Sequence, residues 1–503
     1  MTAENAKSRN KTITTIVIVA IILVVALLAY RYFSEKTRLL NAGRYYTYGV
    51  NKFKESQGIP IDPADTSTTT TAQPTKPIDR EVALEAVDNF RQSVGFDNQR
   101  ADSWVGMAEV YTKLNEFEKT IEVLEEAAEV KYESVSNKVT VLTALGDAYF
   151  RVGRYEDAAK AYDDAIKASP KNPIVALAYS GKVLAKLESG DLSEVGQFTE
   201  WVRNGQELDS RAENQHIYHF ALGWTYEARG RMDQALAEYK EAISYNDKYP
   251  RLLYRTALLE RSQGLFLEPY LRLRLAVENS EASGVTYIPA VEALAELDKE
   301  LSSKSSAEQA AIHVEVANYY YVQDSKNTEK ITALYKKVLE TDDKAPASAL
   351  AYARLASILL DTRVDEELEA NAVKAIDMTE KGVSVATSGK DKSLNYVVMS
   401  KAKRIQRDFD GAIAVANKAI EADPENYRGY LELAMNFYEA YSDFDVDVGH
   451  DPALLPKYED YLYQSRDVIQ KAKELVTYDR EVESYSKRID RAIDRLEKEK
   501  AEQ

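Results

Sequence analysis

Few residues in this chain have types and spacings that could do chemistry. His216 and His219 stand three apart, which puts both imidazoles on one face of a helix at metal-ligand spacing. No HExxH motif surrounds them, and the chain of 503 residues has 4 histidines and no cysteine to complete a site. A packed histidine beside a surface histidine explains the pair more simply, and His313 reads the same way. Asp443, Asp445, Asp447, Gly449 and Asp451 space carboxylates as a calcium-binding loop does. An EF-hand loop starting at Asp443 would need glycine at 448 and glutamate at 454, where the chain has Val448 and Leu454. An acidic connecting loop is the favoured reading of 443–451, with calcium binding left open. No phosphate-binding lysine loop, nucleophile elbow or dinucleotide fingerprint occurs. The expectation is a non-enzyme, with no catalytic residue, no cofactor and no metal.

Composition narrows the class further. The absence of cysteine excludes disulfides, thiolate zinc sites and iron–sulfur ligation. Apolar residues make up 45% and charged residues 29%, which excludes global disorder. Residues 1–58 carry nine Lys/Arg against three Asp/Glu, a net of +6. The remainder therefore holds −23 of a chain whose total is −17. So acidic a body repels nucleic acid, and no nucleic-acid role is expected.

The basic end has its own pattern. Thr12 to Tyr30 is uncharged, and nineteen helical residues rise about 28 Å, near the roughly 30 Å of a bilayer core. Lys7, Arg9 and Lys11 precede the run, Arg31, Lys36 and Arg38 follow it, and Tyr30, Tyr32 and Phe33 lie where interfacial aromatics belong. The expectation is an N-terminal tail over 1–11 and a transmembrane anchor over 12–33. The competing reading is a cleaved signal peptide, against which the run is long and Leu27 precedes the best cleavage site, after Ala29. Both flanks are basic, so orientation rests on the short positive tail, the lack of cysteine and the Thr/Pro tract beyond. These place the body outside the cytoplasm, on the periplasmic or extracytoplasmic side of an inner membrane.

Beyond the anchor the apolar periodicity is helical almost throughout, and no segment alternates as a strand does. In Val139 to Pro170, Leu142, Leu145 and Tyr149 share one face, and Gly146 permits close approach of a neighbouring helix. Gly153 and Arg154 make a turn, Ala158, Tyr162 and Ala165 form the facing stripe, and Pro170 ends the unit. Trp104, Met107, Ala108 and Tyr111 open another copy, and His219, Leu222, Gly223, Tyr226, Gly230, Ala235, Tyr239 and Ala242 make a third. Tyr396, Met399, Phe409, Ala412, Ala416, Ala419 and Pro424 make a fourth, with Ser400 in place of the glycine, and Tyr430, Leu433, Ala434 and Phe437 begin a fifth. This pattern resembles the tetratricopeptide repeat. Weaker pairs at 174–207, 251–283, 310–346 and 347–384 keep the periodicity but lose the small residues.

The resemblance implies an all-α, right-handed superhelical solenoid of helix pairs over 79–480, in which first helices line a concave groove that binds peptides or helices. By that register the groove-facing positions include Thr143, Asp147 and Phe150, then Phe220, Trp224 and Glu227, then Asn318 and Tyr321. Asp147, Phe150, Phe220, Trp224, Glu227 and Tyr321 are the expected partner-binding residues. The alternative is that neighbouring repeats pack over them. The family's clamp for C-terminal carboxylates is not recognisable, because Asp147, Trp224 and Lys401 stand where its asparagine would be. Residues 34–56 form a juxtamembrane helix or the first half-repeat, 57–78 a disordered Thr/Pro insert, and 481–503 a capping helix. Taken together, these features describe a membrane-anchored bacterial repeat protein that scaffolds a protein partner of unknown identity. A periplasmic chaperone or adaptor for exported polypeptides is an alternative. So is an accessory subunit of an envelope, secretion or motility machine. Self-association is left open.

Overall fold

The computed structural model describes residues 3–61, 75–282, 286–361, 365–446 and 452–502, with side chains except those of 3–19, 365–366, 445–446 and 452. Every regular element among them is a helix. Two compact units divide the chain, Met1–Ala290 and Val291–Gln503. The first contains α1 (Ala3–Ser56), α2 (Arg80–Phe96), α3 (Ala101–Lys113), α4 (Phe117–Ala128), α5 (Val135–Arg151) and α6 (Tyr155–Ala168). It continues through α7 (Ala176–Ser189), α8 (Val195–Leu208), α9 (Gln215–Ala228), α10 (Met232–Tyr245), α11 (Pro250–Ser262) and α12 (Leu267–Ala282). The second begins in α13 (Ile288–Ser302) and holds α14 (Ser306–Gln323), α15 (Thr328–Asp342), α16 (Ser348–Leu360), α17 (Asp365–Val385) and α18 (Gly389–Ile405). It ends with α19 (Phe409–Ala422), α20 (Tyr427–Val446), α21 (Leu455–Leu475) and α22 (Arg480–Glu502).

One turn recurs between the two helices of a pair. Gly153, Gly190, Gly230 and Gly264 all have positive φ, between 71° and 84°. The residue after each donates its N–H to a carbonyl five residues back, as Arg154 does to Tyr149 (2.9 Å) and Arg231 to Tyr226 (2.9 Å). This closure satisfies a carbonyl that the helix end would otherwise orphan, and it needs a left-handed residue, which glycine supplies without a Cβ penalty. Asn115 (φ 58°) and Arg407 (φ 62°) occupy the same place between α3 and α4 and between α18 and α19. The glycine signal therefore marks some pairs and misses others.

Packing within and between pairs depends on an aromatic of the second helix. The Tyr162 ring lies where a Cβ on Gly146 would come within 2.6 Å, and where one on Gly181 of the next first helix would come within 2.7 Å. Phe90 is wedged in the same way between Gly49 and Gly106, and Tyr239 lies against Gly223. In the second unit, Ser400 fills the glycine position and donates its hydroxyl to Ala412 O (2.9 Å). The C-terminal part of α1 packs on α2, with Tyr46, Val50 and Phe53 against Ala83, Ala86, Val87 and Phe90. In the second unit, α22 buries Val482, Ile489, Ile493 and Leu496 along one stripe.

The membrane anchor expected over 12–33 is not supported. Among the described residues, no helix is long and apolar enough to cross a membrane. Residues 12–19 of the uncharged run lie outside those with described side chains. The described remainder, 20–30, rises about 16 Å, roughly half of a bilayer core. The helix does not stop there: α1 continues past Glu35, Lys36 and Arg38 into the stretch that buries Ala42, Tyr46, Val50 and Phe53. Membrane attachment, single-pass topology and the periplasmic or extracytoplasmic location that rested on the anchor are withdrawn with it. Most of the Thr/Pro insert, 62–74, lies outside the described residues, as do 447–451 of the acidic loop.

Candidate interaction surface

In the 1–290 unit, the first helices α5 and α9 carry the residues that the repeat register assigns to a groove. Asp147 on α5 is hydrogen-bonded by the Tyr162 hydroxyl (2.6 Å). Its carboxylate has protein packed around it yet remains open to water. That crowding pushes its pKa up to about 6, against the lowering effects of the Tyr162 hydrogen bond and of Arg151. Phe150, at the end of α5, is half-buried; its ring meets Tyr155 edge-on (5.4 Å) and lies 4.9 Å from the Arg251 guanidinium of α11. Arg251 also pairs with Glu188 of α7. The Thr143 hydroxyl oxygen is buried with no hydrogen-bond partner among the described residues.

The α9 residues are more enclosed than the register implies. Phe220 is 1% exposed, packed against Trp224 (5.9 Å), Tyr239 (6.0 Å) and Tyr249 (5.3 Å). It is a core residue and offers no surface, because Tyr249, at the head of α11, lies across it. Trp224 is 8% exposed, and the Arg255 guanidinium of α11 sits 3.8 Å from its ring centroid. Glu227 accepts from the Tyr239 hydroxyl (2.5 Å) and pairs with Arg255 (2.8 Å). Burial works against the charge of Arg255, but Tyr239 and Glu227 outweigh it and hold its pKa above the usual value. Burial also drives the Tyr239 hydroxyl well above its ordinary value, so it stays a donor to Glu227. The four groups Trp224, Glu227, Tyr239 and Arg255 form one satisfied network that fixes the shape of this face.

Tyr321 belongs to the second unit and is half-buried. Arg354 of α16 lies 4.1 Å from its ring centroid, and the Tyr335 ring meets it at 6.5 Å. Asn318 is half-buried on the same helix. The arginine-over-aromatic arrangement thus recurs in both units: an arginine midway along one first helix covers a groove aromatic on the preceding one. Sequence reasoning missed Arg251, Arg255 and Arg354. Arg251 and Arg255 stand four apart, one helical turn, which was the available signal; they fall in the 251–283 pair, where the small packing residues are lost.

The histidines are engaged in structure. His219 Nδ1 lies 2.7 Å from Glu238 Oε2, with its ring stacked on Tyr245 at 5.7 Å, and His216 Nδ1 lies 2.7 Å from Glu213 O. His313 is buried. Asp443 pairs with Arg407. Among the described residues, no group of three His, Asp or Glu side chains could hold a metal ion.

Tetratricopeptide-repeat models match residues 99–171, 143–203 and 217–249. Comparison with curated proteins finds no match. Among solved structures, YrrB, described as a TPR protein with an unusual peptide-binding site, is 16% identical, with 41% of this chain and 98% of that one covered and a TM-score of 0.28. MamA is 19% identical over 35% of this chain and 96% of that one, with a TM-score of 0.26. MamA from Desulfovibrio magneticus RS-1 is 15% identical over 33% and 88%, with a TM-score of 0.27. At these TM-scores none of the three bears on shape or function. Among the described residues the chain is all-α and built of tetratricopeptide-like helix pairs, and it matches that repeat over 99–203 and 217–249.

Proposed function

We propose that the chain is a protein–protein interaction scaffold that docks a partner protein on the first-helix face of its 1–290 unit. Asp147 and Phe150 are the contact residues, with Trp224 and Glu227 held in the network that supports them. The observation that carries this reading is the network behind the face. Trp224, Arg255, Glu227 and Tyr239 are held by mutual stacking and hydrogen bonds, so little side-chain freedom remains to be lost when a partner binds. In front of that network, Phe150 offers an apolar edge and Asp147 a water-accessible carboxylate. Aromatic residues and arginine are enriched at interface centres, and Phe150 lies beside Arg251. In the 291–503 unit, Tyr321 under Arg354 offers a similar aromatic edge.

The test is a pull-down by the full chain from a lysate of its own organism, compared with Phe150→Ala. Loss of an aromatic anchor costs about 2–4 kcal/mol of binding, roughly a 30- to 1,000-fold loss. Phe150→Ala should lose a stoichiometric partner while helical content stays unchanged. Equal recovery by both proteins would remove this face from the interaction. Many weakly held proteins in place of one would favour a chaperone-like holder over a scaffold.

A further inference from the structure

The repeat that pairs α14 with α15 lacks a carboxylate that its counterpart, α9 with α10, contains. In the counterpart, Glu227 Oε2 accepts from the Tyr239 hydroxyl (2.5 Å) and from Arg255 Nε (3.2 Å), and Oε1 accepts from Arg255 Nη2 (2.8 Å). One glutamate thus satisfies a donor of the second helix and a donor of the next first helix. The two repeats align on their buried residues. Val316, Ala317 and Tyr320 of α14 stand where α9 has Leu222, Gly223 and Tyr226. Tyr335 lies between Ile331 and Val338 as Tyr239 lies between Ala235 and Ala242. Arg354 lies between Tyr352 and Ala356 as Arg255 lies between Leu253 and Ala257. Four residues after Gly223 comes Glu227, but four after Ala317 comes Tyr321. The donors register that exchange. The Tyr335 hydroxyl and Arg354 Nε are both buried with no hydrogen-bond partner among the described residues. Tyr335 is 0% exposed, and Arg354 is half-buried. Burial pushes the Tyr335 pKa up to about 12 against the lowering pull of nearby Arg354. Glu315 on α14 is exposed and pairs with neither group.

We propose that Tyr335 and Arg354 receive the side-chain carboxylate of a Glu or Asp on a partner protein, which takes the place that Glu227 fills in the other repeat. The occupant is an anion because both groups are donors and one carries a fixed positive charge. It is a side chain because the counterpart is satisfied by a glutamate projecting from a helix. Pairing relieves two buried donors at once, and hydrogen bonds of this charge-assisted kind are the strong ones. Tyr321, with its ring 4.1 Å from the Arg354 guanidinium, holds that guanidinium in position from the other side. The net charge of −17 repels acidic ligands at long range, so an acidic segment bound here is bound by these local contacts. The proposal takes from the scaffold reading only that the occupant is a protein, and it uses no residue of the 1–290 unit.

Fluorescence anisotropy of the full chain at physiological salt tests the proposal with two fluorescein-labelled, C-terminally amidated peptides. One repeats Ala-Leu-Glu-Ala, and the other has Gln in place of every Glu. The Glu peptide should bind about tenfold or more tighter than the Gln peptide. Tyr335→Phe removes only the hydroxyl and Arg354→Met only the charge, and each should bring the two affinities to within about twofold. Tyr321→Glu supplies the carboxylate from the chain's own helix and should also erase the preference, whereas Tyr321→Gln should keep it. Equal binding of the two peptides by the native chain would overturn the proposal. So would a preference for Glu that survives in well-folded Tyr335→Phe and Arg354→Met. A Gln peptide with a free C-terminus that binds as tightly as the amidated Glu peptide would make a chain end the occupant, against the proposal. Phe150→Ala should leave the preference for Glu unchanged, so failure here and failure of the 1–290 face are separable.

Discussion

Replacing Gly146 by alanine tests how tightly the helix pairs are built. A Cβ there would fall 2.6 Å from both Cδ1 and Cε1 of Tyr162. The ring cannot retreat, because a Cβ at Gly181 on its other side would already be within 2.7 Å of it. Its hydroxyl is also tied to Asp147 (2.6 Å). Overpacking of this kind costs about 1–3 kcal/mol. Displacing the hydroxyl forfeits a hydrogen bond worth about 1 kcal/mol net. Alanine returns about 0.8–1 kcal/mol of helix propensity. The net expectation is a loss of about 1–3 kcal/mol. Gly95, near the end of α2, supplies the comparison, since nothing lies within 4 Å of a Cβ built on it. There alanine should stabilise by about 0.5–1 kcal/mol. Urea unfolding of the full chain, followed by helical circular dichroism, should move the midpoint down for Gly146→Ala and up for Gly95→Ala. Shifts of the same sign would refute the close packing described here.

Three further outcomes are expected. Gly153→Ala places a side chain at φ +80° and should lower stability by about 1–2 kcal/mol in the same urea assay. Arg404 pairs with Glu432 (3.0 Å) and Glu439 (2.9 Å) and is almost fully enclosed, as is Glu432 at 8% exposure. Arg404→Met should therefore cost about 3–5 kcal/mol by stranding a buried carboxylate, and adding Glu432→Leu should recover much of the loss. Asp147 titrates near about 6 in the folded chain, above its unfolded value, so the folded state holds the extra proton between about pH 4 and 6. Its contribution to stability is fully present below that window and is lost as pH rises through it. Asp147→Asn should thus gain on the native chain between pH 4 and 7, as equilibrium unfolding at the two pH values would show.

The pairing of helices was legible because it is written locally. Leu142, Leu145, Gly146 and Tyr149 repeat one turn apart, and Gly153 and Gly230 mark turns that the structure places at positive φ. Asn115 and Arg407 make the same turn without the glycine, so composition alone could not locate it there. The fate of the groove residues was not legible, since it depends on side chains far along the chain. Phe220 is covered by Tyr249, and Phe150 meets Arg251, a hundred residues on. Glu188 and Arg251 pair across 63 residues. Periodicity reports which face of a helix turns inward and says nothing of what the next pair lays over the other face. The apolar run at the N-terminus misled for a related reason. Its composition matched a membrane span, yet among the described residues no helix is long and apolar enough to cross a membrane.

Site-specific photocrosslinking in living cells tests the scaffold reading most directly. A photoreactive phenylalanine analogue would be placed at Phe150 on the first-helix face and, for comparison, at the exposed Lys240 on the second helix α10. The expected result is one dominant protein adduct from position 150, stoichiometric and identifiable by mass spectrometry, and none of that mass from position 240. Absence of any protein adduct at 150, with the chain folded and expressed, would contradict the assignment of that face to partner binding.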